Sequence, residues 1–315
     1  MKRIGIVAAV CSVVLSAAAG YSQLPLEYYF PAASPQGRII RHTAFTLQYN
    51  ERFRQADWVI YLLTAARVSG QIPAIPDYRP DPELGTSAVQ SDSYQGSGYE
   101  RGQLVPADDM RWSKTALAES YYMSVVSPMK AVFRKGLWAE LEVQTRNWAV
   151  KNAEIYMVSG PVLKGDLPLA GRSGIQAPKY FYRVLLVARE QGIKGIGFIL
   201  PAAGSKKSLM SYAVPIDSVE SVTGIDFFSN LPDRTEKAIE ASLDSTLWAL
   251  NTAGQDSTGR TATVPAQRKL TGKAFTPAVL CKGIAKDGKR CMRMTTNPNG
   301  YCWEHQDQAK PSNKP

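Results

Sequence analysis

The run Tyr99-Glu-Arg-Gly-Gln-Leu-Val-Pro-Ala-Asp-Asp-Met110 gathers residue types suited to acid–base or phosphate chemistry. Glu100 is a carboxylate able to take a proton, and Arg101 is a permanent cation suited to a phosphate. Asp108 and Asp109 have the look of a paired-carboxylate site, though in this setting they are expected to fix the turn into the helix that follows. Gly102 and Pro106 supply the backbone constraints of an active-site loop. Yet where a general base is expected the side chain is Gln103, and an amide accepts no proton near neutral pH.

A second set of reactive types lies near the C-terminus. Cys281, Cys291, Cys302 and His305 fall within 25 residues and supply four ligands for a tetrahedral Zn²⁺. The closing Cys-x-x-His puts two ligands on one turn, and Gly288 and Gly300 allow turns that aim the chain back at one metal. With no spare ligand position, such a site is structural rather than catalytic. The competing reading is a disulfide, which leaves one of the three cysteines over and gives His305 no role.

These residues need elements to hold them. Residues Thr43–Tyr49 and Trp58–Leu63 read as early strands, and the Pro-, Gly-, Ser- and Asp-rich stretch 70–98 reads as a long loop into the first motif. Ser113 is placed to cap a helix running to Tyr122, and Leu137–Val150 reads as a second helix. Ile155–Ser159, Tyr180–Val187 and Gly195–Leu200 are strands, with a further strand expected over Ser211–Ile216. A helix over 234–251 closes the domain. The result is a mixed α+β domain without internal repeats.

Composition frames the rest. The chain has 315 residues and a formal net charge of +10. Its start, Met1-Lys-Arg followed by an apolar run to Gly20, reads as a secretory signal peptide, cleaved between Ala19 and Gln23, with no lipoprotein signature around Cys11. The apolar run is too short for a membrane span, and no later segment is long enough, so an exported protein, periplasmic or extracellular, is expected. Residues 254–315 hold eleven Lys and Arg against four Asp and Glu, a net +7 that makes the tail the basic part of the chain. The expected organisation is a signal peptide over 1–22, one large domain over 23–252, a Thr/Gly/Ser-rich linker over 253–276, the Cys₃His module over 277–306 and a tail over 307–315.

Read in order, Tyr99–Met110, Ser127-Pro128 and Phe133-Arg-Lys-Gly-Leu-Trp-Ala-Glu-Leu-Glu142 resemble the DNA/RNA non-specific endonucleases, relatives of mitochondrial endonuclease G. Gly160-Pro161, Thr223–Phe228 and Leu231-Pro232 extend the likeness over roughly residues 38–242. The resemblance implies a ββα-metal fold around a mixed sheet, with the small zinc module appended. It also implies an opening Asp-Arg-Gly-His motif whose His activates water. A downstream Asn binds Mg²⁺, and a Glu eight residues later holds metal-bound water.

Carried over by position, the catalytic set is Glu100, Arg101, Gln103 and Glu142, and the substrate-binding set is Arg101 and Arg134. Gln103 stands in the place of the base, Arg134 in the place of the metal-binding Asn, and Ala74 in the place of a further Arg. A positioned base contributes about 10²–10⁴-fold, and Gln103 supplies none of it. Mg²⁺ requires oxygen ligands, and Arg134 offers only positive charge, which suits a phosphate instead. The expected function is therefore nucleic-acid binding with hydrolysis impaired. Two alternatives stay open: an active, divergent Mg²⁺-dependent endonuclease, with Glu100 as relocated base, and an envelope interaction protein on an inherited fold. His42 is the single histidine of the large domain and is expected to be structural, as are Trp112, Trp138 and Trp148; Glu140 is expected on the solvated side of its helix.

Overall fold

In a computed structural model the described residues are 24–171, 174–189, 192–249, 279–284, 291, 294–295, 299–301 and 303–309. The expected signal peptide, the linker and Cys302 lie outside them. No helix among the described residues is long and apolar enough to cross a membrane.

Seven strands form one antiparallel sheet: β1 (Gly37–Arg41), β2 (Thr46–Asn50), β3 (Gln55–Thr64), β6 (Glu154–Pro161), β7 (Tyr180–Arg189), β8 (Gly192–Pro201) and the short edge strand β9 (Ala213–Val214), in that spatial order. A separate hairpin joins β4 (Glu100–Gln103) to β5 (Val126–Met129). The helices are α1 (Ala65–Val68), α2 (Ala107–Met110), α3 (Lys114–Glu119), α4 (Ala131–Phe133), α5 (Ala139–Asn152), α6 (Ile216–Thr223) and α7 (Asp233–Glu240).

Both faces of the sheet are covered, which explains why its central strands are unbroken apolar runs rather than alternations. Successive side chains point to opposite faces, so Val59, Tyr61 and Leu63 join one core with Met157, Leu185 and Trp148 of α5, while Trp58 and Ile60 join another with Val158, Val184, Ile216 and Ile239. Glycine lets α6 lie flat on β8: a Cβ at Gly195 would sit 2.6 Å from Ile216 Cδ1, and one at Gly197 would sit 2.6 Å from Val219 Cγ2.

Several boundaries differ from expectation for local reasons. The Ser113 cap forms, accepting from the Ala116 N–H at 3.3 Å, but α3 stops at Glu119. The expected strand over Ser211–Ile216 shrinks to Ala213–Val214, because Pro215 starts α6. The closing helix ends at Glu240, and a separate turn, Ser245–Trp248, tucks Trp248 edge-on against Trp148 with ring centroids 5.2 Å apart. The helix expected from Leu137 begins at Ala139, after a wide turn over Arg134–Trp138 broken at Gly136 (φ −103°, ψ −113°). Irregular helical turns of this kind recur at functional sites.

Candidate functional site

The β4–β5 hairpin and α5 enclose a cleft of about 390 Å³, lined chiefly by Arg101, Gln103, Asp108, Arg134, Lys135 and Glu142. The strand period puts Arg101 and Gln103 on the same side of β4. Gly102 between them leaves room for the Met129 side chain across the hairpin, whose Sδ would lie 2.2 Å from a Cβ there. Past the strand, Leu104 and Val105 are buried in the core and Pro106 opens α2, so the loop is anchored at the point where it turns.

Two contacts fix Gln103. Its side-chain amide donates to the Ser120 carbonyl at 2.8 Å, and its own carbonyl accepts from the Trp138 indole at 3.1 Å. Trp138 is the last residue of the irregular turn that carries Arg134. Gln103 is thus a positioned amide in the cleft wall, with no proton-accepting chemistry.

Arg134 points back across the cleft and its Nε donates to Glu100 Oε2, while Lys135 Nζ lies 3.3 Å from Glu100 Oε1. The Arg134 hydrogen bond, with the charge of Arg134 and the contact with Lys135, holds the Glu100 carboxyl below the usual carboxylate range against the opposing effect of desolvation. A carboxylate gripped by two cations is a weakened base, and Glu100 is not among the residues lining the cleft. That geometry disfavours it as a relocated base. Arg101 projects from the hairpin with its guanidinium 4.9 Å from the Tyr78 ring centre and its Nε bonded to the Ser91 carbonyl at 3.0 Å.

Glu142 stands half-buried in the opposite wall, on the first turn of α5. Burial pushes its carboxyl up to about 7, against the pull of Arg183 and with help from the nearby Asp109. Beneath it lies a network that sequence reasoning missed. Asp109 is buried and accepts from the Tyr61 hydroxyl at 2.5 Å and from Arg146 Nη1 at 3.0 Å, tying α2 to β3 and α5. Burial raises its carboxyl, opposed by Arg146 and Tyr61. Arg183, on β7, is wholly buried, stacks 4.6 Å over the Trp138 ring and reaches Thr145 Oγ1 at 3.3 Å, while its Nε and Nη2 find no hydrogen-bond partner among the described residues. The signal for it was an arginine inside the apolar run Tyr180–Val187.

The two aspartates therefore do not act as a pair. Asp109 is an internal anchor, and Asp108 is exposed on the cleft rim, 3.7 Å from Arg111. His42 lies elsewhere, bonded at 2.9 Å to Asp81, which also accepts from Ser124 at 2.5 Å. Although burial works in the opposite direction, these hydrogen bonds hold Asp81 below its ordinary value. Trp138 and Trp148 are core residues, Trp112 packs partly buried under Arg67, Glu140 is exposed, and Ala74 sits in an exposed loop away from the cleft.

Among the cleft-lining residues only Asp108 and Glu142 carry carboxylates, and the position expected for an oxygen ligand holds a guanidinium engaged by Glu100, with Lys135 and Arg101 close by. Fixed positive charge repels a cation, so this arrangement does not fit Mg²⁺ at that position. It does fit a phosphate, which three cations of this geometry can hold.

In the C-terminal segment, Cys281, Cys291 and His305 are all buried and their ligand atoms lie within 4.8 Å of one another. Cys281 Sγ is 3.6 Å from His305 Nδ1. Zinc bonds of about 2.3 Å to sulfur and 2.0–2.1 Å to nitrogen give a tetrahedral edge of about 3.6 Å, so the spacing matches. The paired strands β10 (Val279–Leu280) and β11 (Met294–Thr295) frame the site, and the Gly283 N–H donates to Cys281 Sγ at 3.2 Å. Gly283 has no alternative, as a Cβ there would lie 2.4 Å from His305 Cγ. Cys302, the fourth expected ligand, lies outside the described residues.

Comparison with known proteins agrees with this architecture. Residues 25–234 match the DNA/RNA non-specific endonuclease family, and residues 278–315 match a domain of unknown function (DUF5763). Nuclease EXOG, mitochondrial, of Danio rerio is 27% identical over 256 residues, covering 69% of this chain and 74% of that protein. Its Xenopus laevis counterpart is 30% identical over 230 residues, covering 66% of this chain; the chain spans only 62% of that relative's length. A chain from a crystal structure of the EndoG/EndoGI complex superposes with a TM-score of 0.62 at 23% identity, covering 67% of this chain and 92% of that one. The ββα-metal fold is thereby shown, with β4, β5 and α5 as its hairpin and helix.

Proposed function

The chain belongs to the DNA/RNA non-specific endonuclease family, and from that premise we propose that it binds nucleic acid through backbone phosphates while hydrolysis is impaired. One observation carries the reading: Arg134, held by Glu100, stands where the family resemblance expects a metal-binding Asn, beside Gln103 in place of the base. Arg101, Arg134 and Lys135 form a phosphate cradle, and Gln103, at the place of the family's base, cannot activate water. The basic segment after residue 253 adds long-range attraction, so affinity falls as salt rises.

A second reading, a divergent active endonuclease, draws on Glu142, whose carboxyl near 7 suits proton transfer at neutral pH. The Cys281, Cys291 and His305 cluster supports a structural Zn²⁺ completed by Cys302, and the N-terminal sequence supports export. In this proposal residues 23–252 form the nuclease-like domain and 277–306 the zinc module.

The test is incubation of the protein with plasmid and with single-stranded RNA, in Mg²⁺, Mn²⁺ or chelator, alongside fluorescence-anisotropy binding across salt concentrations. Salt-sensitive binding with little cleavage is the expected outcome. Robust metal-dependent cutting abolished by Glu142→Ala favours the active enzyme instead. No affinity for either nucleic acid favours an interaction protein on the same fold.

A further inference from the structure

On the sheet face away from the cleft, α6 and α7 bring together three carboxylates, and we propose that Asp217, Glu220 and Glu240 form a Ca²⁺ site that ties these two helices together. Their oxygens lie within 4.8 Å of one another. Asp217 and Glu220 are three apart on α6 and share its face; Glu240 is the last residue of α7.

The second observation concerns Glu240 itself. Only 5% of it is exposed, and its buried Oε1 has no hydrogen-bond partner among the described residues. Leaving a buried carboxylate oxygen unpaired is costly, and the C-terminal end of a helix is the wrong pole for negative charge. None of the three carboxylates has a salt bridge among the described residues. The charged groups that face Glu240 are Glu220, Glu236, Asp226 and Asp217, all acidic. Glu220 Oε1 accepts from the Phe227 N–H at 2.8 Å, which orients the side chain and leaves its other oxygen for a ligand.

The donor chemistry selects the ion. A set made only of carboxylate oxygens suits a hard cation, not Zn²⁺. Ca²⁺ tolerates irregular carboxylate arrangements, whereas Mg²⁺ demands a near-ideal octahedron and sheds its waters reluctantly. Bound Ca²⁺ would fasten the α6–α7 corner, which packs on β8, and would leave the cleft untouched.

The full chain, dialysed against Ca²⁺-free buffer, is titrated with CaCl₂ to about 1 mM by calorimetry and melted with and without the ion, with MgCl₂ as a parallel arm. One Ca²⁺ per chain is expected, with a Tm rise of about 5 °C or more at saturation. Glu142→Ala should keep that response, which separates this site from the cleft. Asp217→Asn with Glu240→Gln should abolish both the heat and the Tm rise while raising Tm in Ca²⁺-free buffer by relieving repulsion. Should that double variant fail to fold, Glu220→Gln alone serves, with Ca²⁺ affinity reduced at least about 10-fold. Absence of a wild-type response to Ca²⁺, or its persistence in the folded variants, overturns the site.

Discussion

The cleft and the C-terminal cluster are two places where family likeness or residue type leads one to expect a metal, and they are built in opposite ways. In the cleft a guanidinium, Arg134, occupies the expected ligand position and is held by Glu100, with Lys135 and Arg101 nearby. In the C-terminal segment two thiols and an imidazole converge at distances that match a tetrahedral ion, and among the described residues of that segment only Cys281 and Cys291 form a buried cluster. One region supplies its own positive charge and is built on a large apolar interior; the other gathers the ligand set of an ion. The difference lies in the donor atoms. Nitrogen cations on rigid elements substitute for a metal's charge, whereas thiolates and imidazole demand the metal itself.

Removing the C-terminal ion should produce the largest effect. Binding a structural Zn²⁺ is worth on the order of 10 kcal/mol in small modules, so Cys291→Ser or a strong chelator should unfold this segment. The expected result is about one Zn²⁺ per native chain, lost in the variant, with new protease cleavage confined to residues 277–306. Melting of the nuclease-like domain should not change. A Cys–Cys bridge in native protein with no zinc, seen by mass spectrometry, would erase the contrast.

Next in size is an attempt to make the cleft resemble its relatives. Gln103→His with Arg134→Asn restores both a proton acceptor and an oxygen ligand, and should raise Mg²⁺-dependent plasmid cleavage by at least about 10²-fold. Either change alone should do much less. No gain, with the variant folded and still binding DNA, would mean that the impairment lies elsewhere in the site.

The smallest effect tests the buried side of the cleft through pH. Glu142 is raised to about 7 in the fold, above its ordinary value of 4.5, so the native state favours its protonated form. The stability from this preference is fully present below pH 4.5 and is lost as pH rises through about 7. Glu142→Gln should therefore melt higher than wild type near pH 8, with the gap closing as pH falls, in metal-free buffer. A gap independent of pH would show that Glu142 is fully solvated.

Much of this molecule was legible in the chain. The apolar runs at Trp58–Leu63 and Tyr180–Val187 marked central strands because burial on both faces removes the alternation that a half-exposed strand keeps. The ordered motifs carried the family, and the spacing of Cys281, Cys291 and His305 foretold their convergence, since short segments with few residues between ligands have few ways to close. Local sequence also placed the Ser113 cap, whose hydrogen bond needs only neighbours three residues away.

What tertiary structure alone decided involves partners far apart in sequence. That Glu100 would be taken up by Arg134 depends on a turn 34 residues later folding back over the hairpin. That Asp109 is an anchor and Asp108 a rim residue depends on Tyr61 and Arg146, which are 48 and 37 residues away. Residue types and spacing specify local hydrogen bonds and the apolar pattern. Ionisation, by contrast, is set by the sum of burial and neighbouring charge, and both exist only once distant elements have packed together.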